Sequence, residues 1–283
     1  MCRTIAAATL EPMTNARNAT ARVAVVTGAR QGIGRRVAEV LAARGYSLAL
    51  IDLEHPKETL DALGPFQAAG TEAVGVVADV SDEAAVAAAT DEVVHRFGRV
   101  DVLVNNAGIG LIAPAEATPA AQWRRVLDVN LTGPFLLSRA FGTVMLGSDE
   151  PGTIVNIASI AGLGGIPDRV AYNASKHGVL GLTRTLAVEW GGRGVRVNAV
   201  CPGFVKTEMD EADLASGAYT PEDIVDRVPL ARFATPTDIA EAVAYLADPA
   251  LSAYVNGTAL PVDGGWTADA TWRALRLRKR AAA

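Results

Sequence analysis

A single α/β domain built on a doubly wound parallel sheet, with helices on both faces, is the fold class this sequence predicts. Three observations predict it. From residue 23 onward, short β-branched runs alternate with longer Ala-rich stretches of helical periodicity, the order that builds βαβ units. The short runs are almost continuously apolar, as parallel strands covered on both faces should be. The chain has 283 residues, 50 % hydrophobic and 20 % charged. That is enough for one large buried core and too apolar for a disordered chain.

Strands are expected at 23–27 (VAVVT), 47–52 (SLALID), 73–78 (AVGVVA), 100–105 (VDVLVN), 153–159 (TIVNIAS), 195–200 (VRVNAV) and 258–263 (TALPVD). Helix starts are marked between them. Ser81 is expected to cap, with Asp82 and Glu83 in the first turn; Thr118 precedes Pro119; Thr235 precedes Pro236 and stands three before Asp238, a capping-box arrangement. No linker or fixed-period repeat interrupts this pattern, and the domain is expected over residues 22–267. Ahead of it, residues 1–21 read as a disordered leader, or as an upstream start with Met13 as the alternative initiator. Their short apolar stretch ends at Glu11 and Pro12, which makes a poor signal peptide. Residues 206–228 are polar and acidic, with Gly217 and Pro221. They read as an insertion over the sheet edge, a substrate lid or a solvated loop. The tail at 268–283 is basic and reads as a frayed end, with an added subunit contact or an acidic-surface anchor as the alternative.

The first strand runs into TGARQGIG at 27–34, and a helix follows directly. Gly28, Gly32 and Gly34 let the backbone turn tightly and approach a diphosphate, while the helix N-terminus supplies N–H groups and a positive dipole. Arg30 and Gln31 sit in the same loop and are counted with the cofactor-binding residues. The second strand ends at Asp52, followed by Leu53 and Glu54. Asp52 lies about twenty residues beyond the loop, where a carboxylate accepts the hydroxyls of an adenosine ribose. Its charge repels a 2′-phosphate, so NAD is expected over NADP. Arg30 is the dissenting residue, able to reach a 2′-phosphate or to stack on adenine.

TGARQGIG, NNAG at 105–108, Ser159 followed by Tyr172-x-x-x-Lys176, and PG at 202–203 together resemble the short-chain dehydrogenase/reductases, those with TGxxxGIG and YxxxK motifs, over about residues 22 to 266. The resemblance implies a Rossmann-type seven-stranded sheet, a dinucleotide lying across the strand C-termini, and a homotetramer or homodimer. It implies that Ile33 contacts the diphosphate, that Asp79 and Val80 touch adenine, and that Asn106, Ala107 and Gly108 lie beside the adenosine ribose. Pro202, Gly203, Val205 and Thr207 are implied to cup the nicotinamide.

The same resemblance places the reaction at Asn130, Ser159, Tyr172 and Lys176. A hydride passes between nicotinamide and a carbon, so the protein has to move a proton on the oxygen. A tyrosine does this when a neighbouring positive charge favours its phenolate. Lys176, four residues on, lies on the same helical face as Tyr172, and the family's lysine at that position also grips the nicotinamide ribose. The matching serine holds the substrate oxygen, and the matching asparagine anchors a water beside the lysine; Asn130 could instead interrupt its helix by bonding to backbone. Ala174 and Ser175 are small enough to admit the cofactor and a neighbouring subunit. His177 points about 100° away from Lys176 and out of the site.

The remaining features exclude other classes. The net charge is −5, so no basic face for nucleic acid is expected. No apolar run reaches membrane-spanning length. Cys2 and Cys201 do not suggest a disulfide framework, and the histidines His55, His95 and His177 lack metal-ligand spacing. A cytoplasmic enzyme is expected. Its pocket is walled by 108–112, 160–166, Gly203, Phe204 and 206–228, and acts on a small neutral alcohol, polyol, sugar or steroid-like ketone. The alternatives are a 3-oxoacyl-thioester (acyl-carrier-protein) reductase using NADPH and a dinucleotide-binding regulator without turnover.

Overall fold

A computed structural model describes residues 21–67, 71–207, 217 and 220–271. Seven parallel strands form one sheet in the order β3-β2-β1-β4-β5-β6-β7. They are β1 (Val23–Thr27), β2 (Ser47–Asp52), β3 (Ala73–Val77), β4 (Val102–Asn105), β5 (Gly152–Ile157), β6 (Val195–Pro202) and β7 (Ala259–Val262). The helices are α1 (Gly32–Ala43), α2 (Lys57–Gln67), α3 (Glu83–Phe97), α4 (Ala120–Leu127), α5 (Gly133–Leu146), α6 (Val170–Gly191), α7 (Pro221–Arg227), α8 (Pro236–Ala247) and α9 (Pro249–Ser252). The expected doubly wound Rossmann-type fold is therefore present, and the strand order reverses between β1 and β4, where such sheets open a crevice.

Strand periodicity divides the core into two layers. Ala24, Val26, Leu48, Leu50, Val102 and Val104 point to one face and pack with α1 and α8. Val25, Ala49, Ile51, Leu103 and Ile154 point to the other and pack with α3, α5 and α6. Both faces are covered, which explains why the strands read as continuous apolar runs.

The strand ends differ from expectation where the ladder stops. β5 ends at Ile157, so Ala158 and Ser159 lie beyond it, and β6 runs on to Pro202. Two expected caps shift as well. Asp82, not Ser81, caps α3, accepting from Ala85 N at 3.0 Å. Thr118 closes a 3-10 turn by donating to the Pro114 oxygen at 3.0 Å, and no side chain caps α4. The Thr235–Asp238 capping box forms as expected. Within 206–228 the structure describes α7, whose Ile224 packs with Val228, Phe233, Phe204 and Trp266. The expected leader and most of the expected tail lie outside the described residues. Among the described residues no helix is long and apolar enough to cross a membrane.

Candidate active site

A cleft of about 660 Å³ opens at the carboxyl ends of the strands, over the switch point. Of the residues expected in the site, all but Gly34 and Asn130 line it. At its floor, Gly28 and Gly32 have φ of +62° and +55°, conformations that side chains resist. A Cβ on Gly28 would stand 2.9 Å from Ala107 Cα, and one on Gly34 only 2.1 Å from the Gly28 oxygen. Gly34 is thus a packing glycine that lets α1 close on the loop. Asn106 fastens the loop from beneath, donating to the oxygens of Thr27 (2.9 Å) and Gly28 (3.0 Å). The start of α1 has no side-chain cap and no acid in its first turn. Backbone N–H groups facing a Cβ-free cradle fit a diphosphate.

At the end of β2, the Asp52 carboxylate accepts from Arg30 N (2.9 Å) and Leu53 N (2.8 Å), which holds it at the cleft rim. The Arg30 guanidinium lies 3.4 Å from Glu54. After β3, Asp79 accepts from the backbone and hydroxyl of Ser81 and from Arg125. Burial works against this carboxylate, but those bonds outweigh it, and its pKa lies below the ordinary value.

The catalytic candidates converge at the other end of the cleft. Ser159 follows β5 and is buried; its Oγ accepts from Ala161 N at 3.1 Å, leaving its proton to donate. Tyr172 and Lys176 share one face of α6, with Lys176 Nζ 5.5 Å from the Tyr172 ring centre. Lys176 donates to the Ile157 oxygen at 2.8 Å. Its surroundings are dry enough that burial lowers its pKa to about 8. Behind it, burial pushes the Cys201 thiol up to about 11, although the Ser159 N–H and the Lys176 charge act in the opposite direction. Cys201 is a free, buried cysteine.

Asn130 lies on a π-helical turn, Asp128–Thr132, between α4 and α5. Its side chain does not bond to its own helix. Its Oδ1 accepts from Ile109 N (2.8 Å), and its Nδ2 donates to the Ile109 oxygen (2.9 Å) and to Ser175 Oγ (3.2 Å). Ser175 in turn donates to the Tyr172 oxygen at 2.7 Å. Ser175, expected to be small enough to admit the cofactor and a neighbouring subunit, is fully buried on α6 beside Asn130 and does not line the cleft. His177 is exposed and lies outside the cleft, its Nδ1 2.9 Å from the Asn173 oxygen.

Sequence reasoning missed Arg125, Asp168, Arg169 and Trp266, which also line the cleft. Asp168 has φ of +58° and its oxygen accepts from Ala113 N at 2.8 Å, pinning the mouth. Trp266 is held between Phe204, with ring centres 5.0 Å apart, and the Arg227 guanidinium, 4.5 Å above its ring. The signal available for Trp266 was its place directly after Gly264 and Gly265, beyond the last strand. Among the described residues no cluster of His, Cys, Asp and Glu could hold a metal.

The chain is similar to known proteins over most of its length. A family model described as enoyl-(acyl carrier protein) reductase matches residues 28–267. D-threitol dehydrogenase of Mycolicibacterium smegmatis is 43 % identical over 248 residues, 87 % of this chain and 93 % of the relative. A 3-oxoacyl-[acyl-carrier-protein] reductase of Synechocystis sp. is 40 % identical over 247 residues, 87 % of this chain and 97 % of the relative. Among solved structures, a Beutenbergia cavernae protein named as a candidate NAD(P)-dependent gluconate 5-dehydrogenase, with bound NADP, superposes with a TM-score of 0.80. It shares 45 % identity, covering 88 % of this chain and 97 % of that one.

Proposed function

This chain belongs to the short-chain dehydrogenase/reductase family, and on that premise we propose that it is an NAD-dependent dehydrogenase of small neutral secondary alcohols, with polyols foremost. The observation that carries the reading is the convergence of Ser159, Tyr172 and Lys176 on one cleft with the glycine cradle. When bound, the nicotinamide supplies the hydride chemistry. Gly28, Gly32 and Ile33 would hold the diphosphate, Asp52 the adenosine ribose, and Pro202, Gly203, Val205 and Thr207 the nicotinamide end.

The chain's own residues supply orientation and the proton. Ser159 donates to the substrate oxygen and fixes it beside Tyr172. The Tyr172 hydroxyl takes or gives the proton at that oxygen, and Lys176, one turn on, favours the phenolate electrostatically. Asn130 holds the Ile109 backbone that walls the site and, through Ser175, the turn of α6 that carries Tyr172.

Two features support NAD. Asp52 is held at the rim by two backbone N–H groups, where it would meet a 2′-phosphate as like charge. Arg30, the residue able to favour that phosphate, leans on Glu54. The bound NADP of the Beutenbergia cavernae relative points the other way for that protein. Polyol substrates are supported by the threitol dehydrogenase relative and by a cleft that joins Asp168 and Arg169 to the faces of Phe204 and Trp266. We further place the enzyme in the cytoplasm as a homotetramer or homodimer; Phe135 on α5 and Val188 on α6 are apolar and exposed, as an interface requires.

The test is a panel of tetritols, hexitols and simple secondary alcohols with NAD or NADP, followed by reduced-nicotinamide absorbance, beside a 3-oxoacyl thioester with NADH or NADPH. Turnover of polyols with NAD is expected. Preference for NADPH and the thioester would replace this reading with the acyl-thioester reductase. Asp52→Ser is expected to relax the preference toward the phosphorylated cofactor.

A further inference from the structure

We propose that Arg125, acting with Ser81, is a positioning residue that fixes the Asp79 carboxylate to read the exocyclic amine of the cofactor's adenine. The inference rests on the dinucleotide reading given under Proposed function, extended to adenine lying beyond the ribose at Asp52, beside Asp79.

The three residues close a triangle across two segments of the fold. Asp79 and Ser81 lie in the connection between β3 and α3, and Arg125 comes from α4, 46 positions after Asp79. Ser81 N and Ser81 Oγ both donate to Asp79 Oδ1, at 2.9 and 2.6 Å. Arg125 Nη2 donates to Asp79 Oδ2 at 3.1 Å, and Nη1 donates to Ser81 Oγ at 2.7 Å. The guanidinium fork matches this task, since its two nitrogens engage two acceptors at once; an ammonium has no such fixed geometry.

An ionised carboxylate offers about four lone-pair sites. Three donors here occupy sites on both oxygens and remove the freedom of the carboxylate to rotate. One acceptor direction is left for an incoming donor. Both Asp79 and Arg125 line the cleft, and Ala78, directly before Asp79, donates its N–H to the Asp52 backbone oxygen at 2.9 Å, which sets Asp79 beside the strand end where the adenosine ribose would lie. The base that binds there carries an N–H₂ group if it is adenine and a carbonyl if it is hypoxanthine. A carboxylate locked as an acceptor rejects the second and takes the first without first paying rotational entropy.

The triangle adds little to folding. Arg125 and Asp79 are 45 % and 34 % exposed, and exposed ion pairs contribute little to stability. Its consequence is for recognition. Ser81 serves this triangle while the neighbouring Asp82 caps α3.

The test compares NADH with reduced nicotinamide hypoxanthine dinucleotide, each titrated by nicotinamide fluorescence against the full-length protein. The wild type is expected to bind NADH about tenfold more tightly, the size of one hydrogen bond to a charged acceptor. Arg125→Met is expected to lose most of that factor with NADH, to keep hypoxanthine binding within about twofold, and so to bring the ratio close to one. Arg125→Lys and Ser81→Ala are expected to fall between. A melting curve confirms that each variant is folded. Equal weakening of both ligands by Arg125→Met would make the residue merely structural and overturn the proposal, as would an unchanged ratio or a wild type that does not discriminate. Failure of the wild type to bind any nicotinamide dinucleotide would instead overturn the cofactor reading. If only the phosphorylated cofactor binds, the phosphorylated pair of ligands is used, with the same ratios expected.

Discussion

Lys176 donates from Nζ to the backbone oxygen of Ile157 at 2.8 Å, which ties the fourth residue after Tyr172 to the last residue of β5. This bond holds a charge inside the fold, 5 % exposed, and it makes the pH dependence of stability informative. Burial lowers the Lys176 pKa to about 8 from 10.5. Between those values the unfolded chain binds the proton more tightly than the fold does, so stability rises with pH. Cys201 does the reverse. Burial raises its thiol from 9.0 to about 11, and the fold keeps a proton that the unfolded chain loses, so stability falls across that window. The two trends offset in the wild type. Cys201→Ala should leave a rise of about 2–3 kcal/mol from pH 8 to 10.5, and Lys176→Met should leave a fall between pH 9 and 11. Urea denaturation over pH 7–11 in the absence of cofactor checks both signs, and reversed slopes would remove burial as the cause.

Removing the Tyr172 hydroxyl should separate chemistry from binding. Tyr172→Phe is expected to cut kcat by about 10²–10⁴ while NADH affinity stays within about threefold, since the loop, Asp52 and Lys176 are untouched. Steady-state kinetics on whichever panel substrate is turned over, with a parallel fluorescence titration, gives both numbers.

Asn130 holds both polar groups of the Ile109 backbone. Asn130→Ala leaves them without this partner and should destabilise the fold by about 1–3 kcal/mol. Asn130→Asp keeps the acceptor for Ile109 N but sets a carboxylate against the Ile109 oxygen, so it should not restore stability. Thermal unfolding of the three proteins decides this.

Glycines of the same type should differ sharply by place. Gly34→Ala would put a Cβ 2.1 Å from the Gly28 oxygen, and a loss of about 3 kcal/mol or more is expected, together with cofactor binding. Gly110→Ala meets nothing within 4 Å and should change stability by less than about 0.5 kcal/mol. Equal effects would show that the contact at Gly34 is not what limits the site.

Much of this site is legible in the order of residues because its parts are local. The glycine turn, the carboxylate at the end of β2 and the four-residue spacing of Tyr172 and Lys176 each depend on one strand end or one helical turn. Recognition as a family member assigned the remaining positions. Trp266 and Arg125 escaped because an isolated tryptophan or arginine carries no period; each enters the cleft only through packing, Trp266 against Phe204 and Arg227, Arg125 across to Asp79.

By itself, then, the sequence determined the alternation of strands and helices, the doubly wound class and the side of the sheet on which the cleft opens, since apolar periodicity and glycine placement act within a few residues. Tertiary structure decided the partners of those polar side chains that reach beyond their own element. Ser81 and Asp82 are adjacent and both suited to cap α3; Asp82 caps because Ser81 is drawn to Asp79 and Arg125. Asn130 reaches Ile109, 21 positions away, because the π-turn aims it there. Such choices between near-equal local partners rest on a single long-range bond, and neither residue type nor spacing records which one the folded chain supplies.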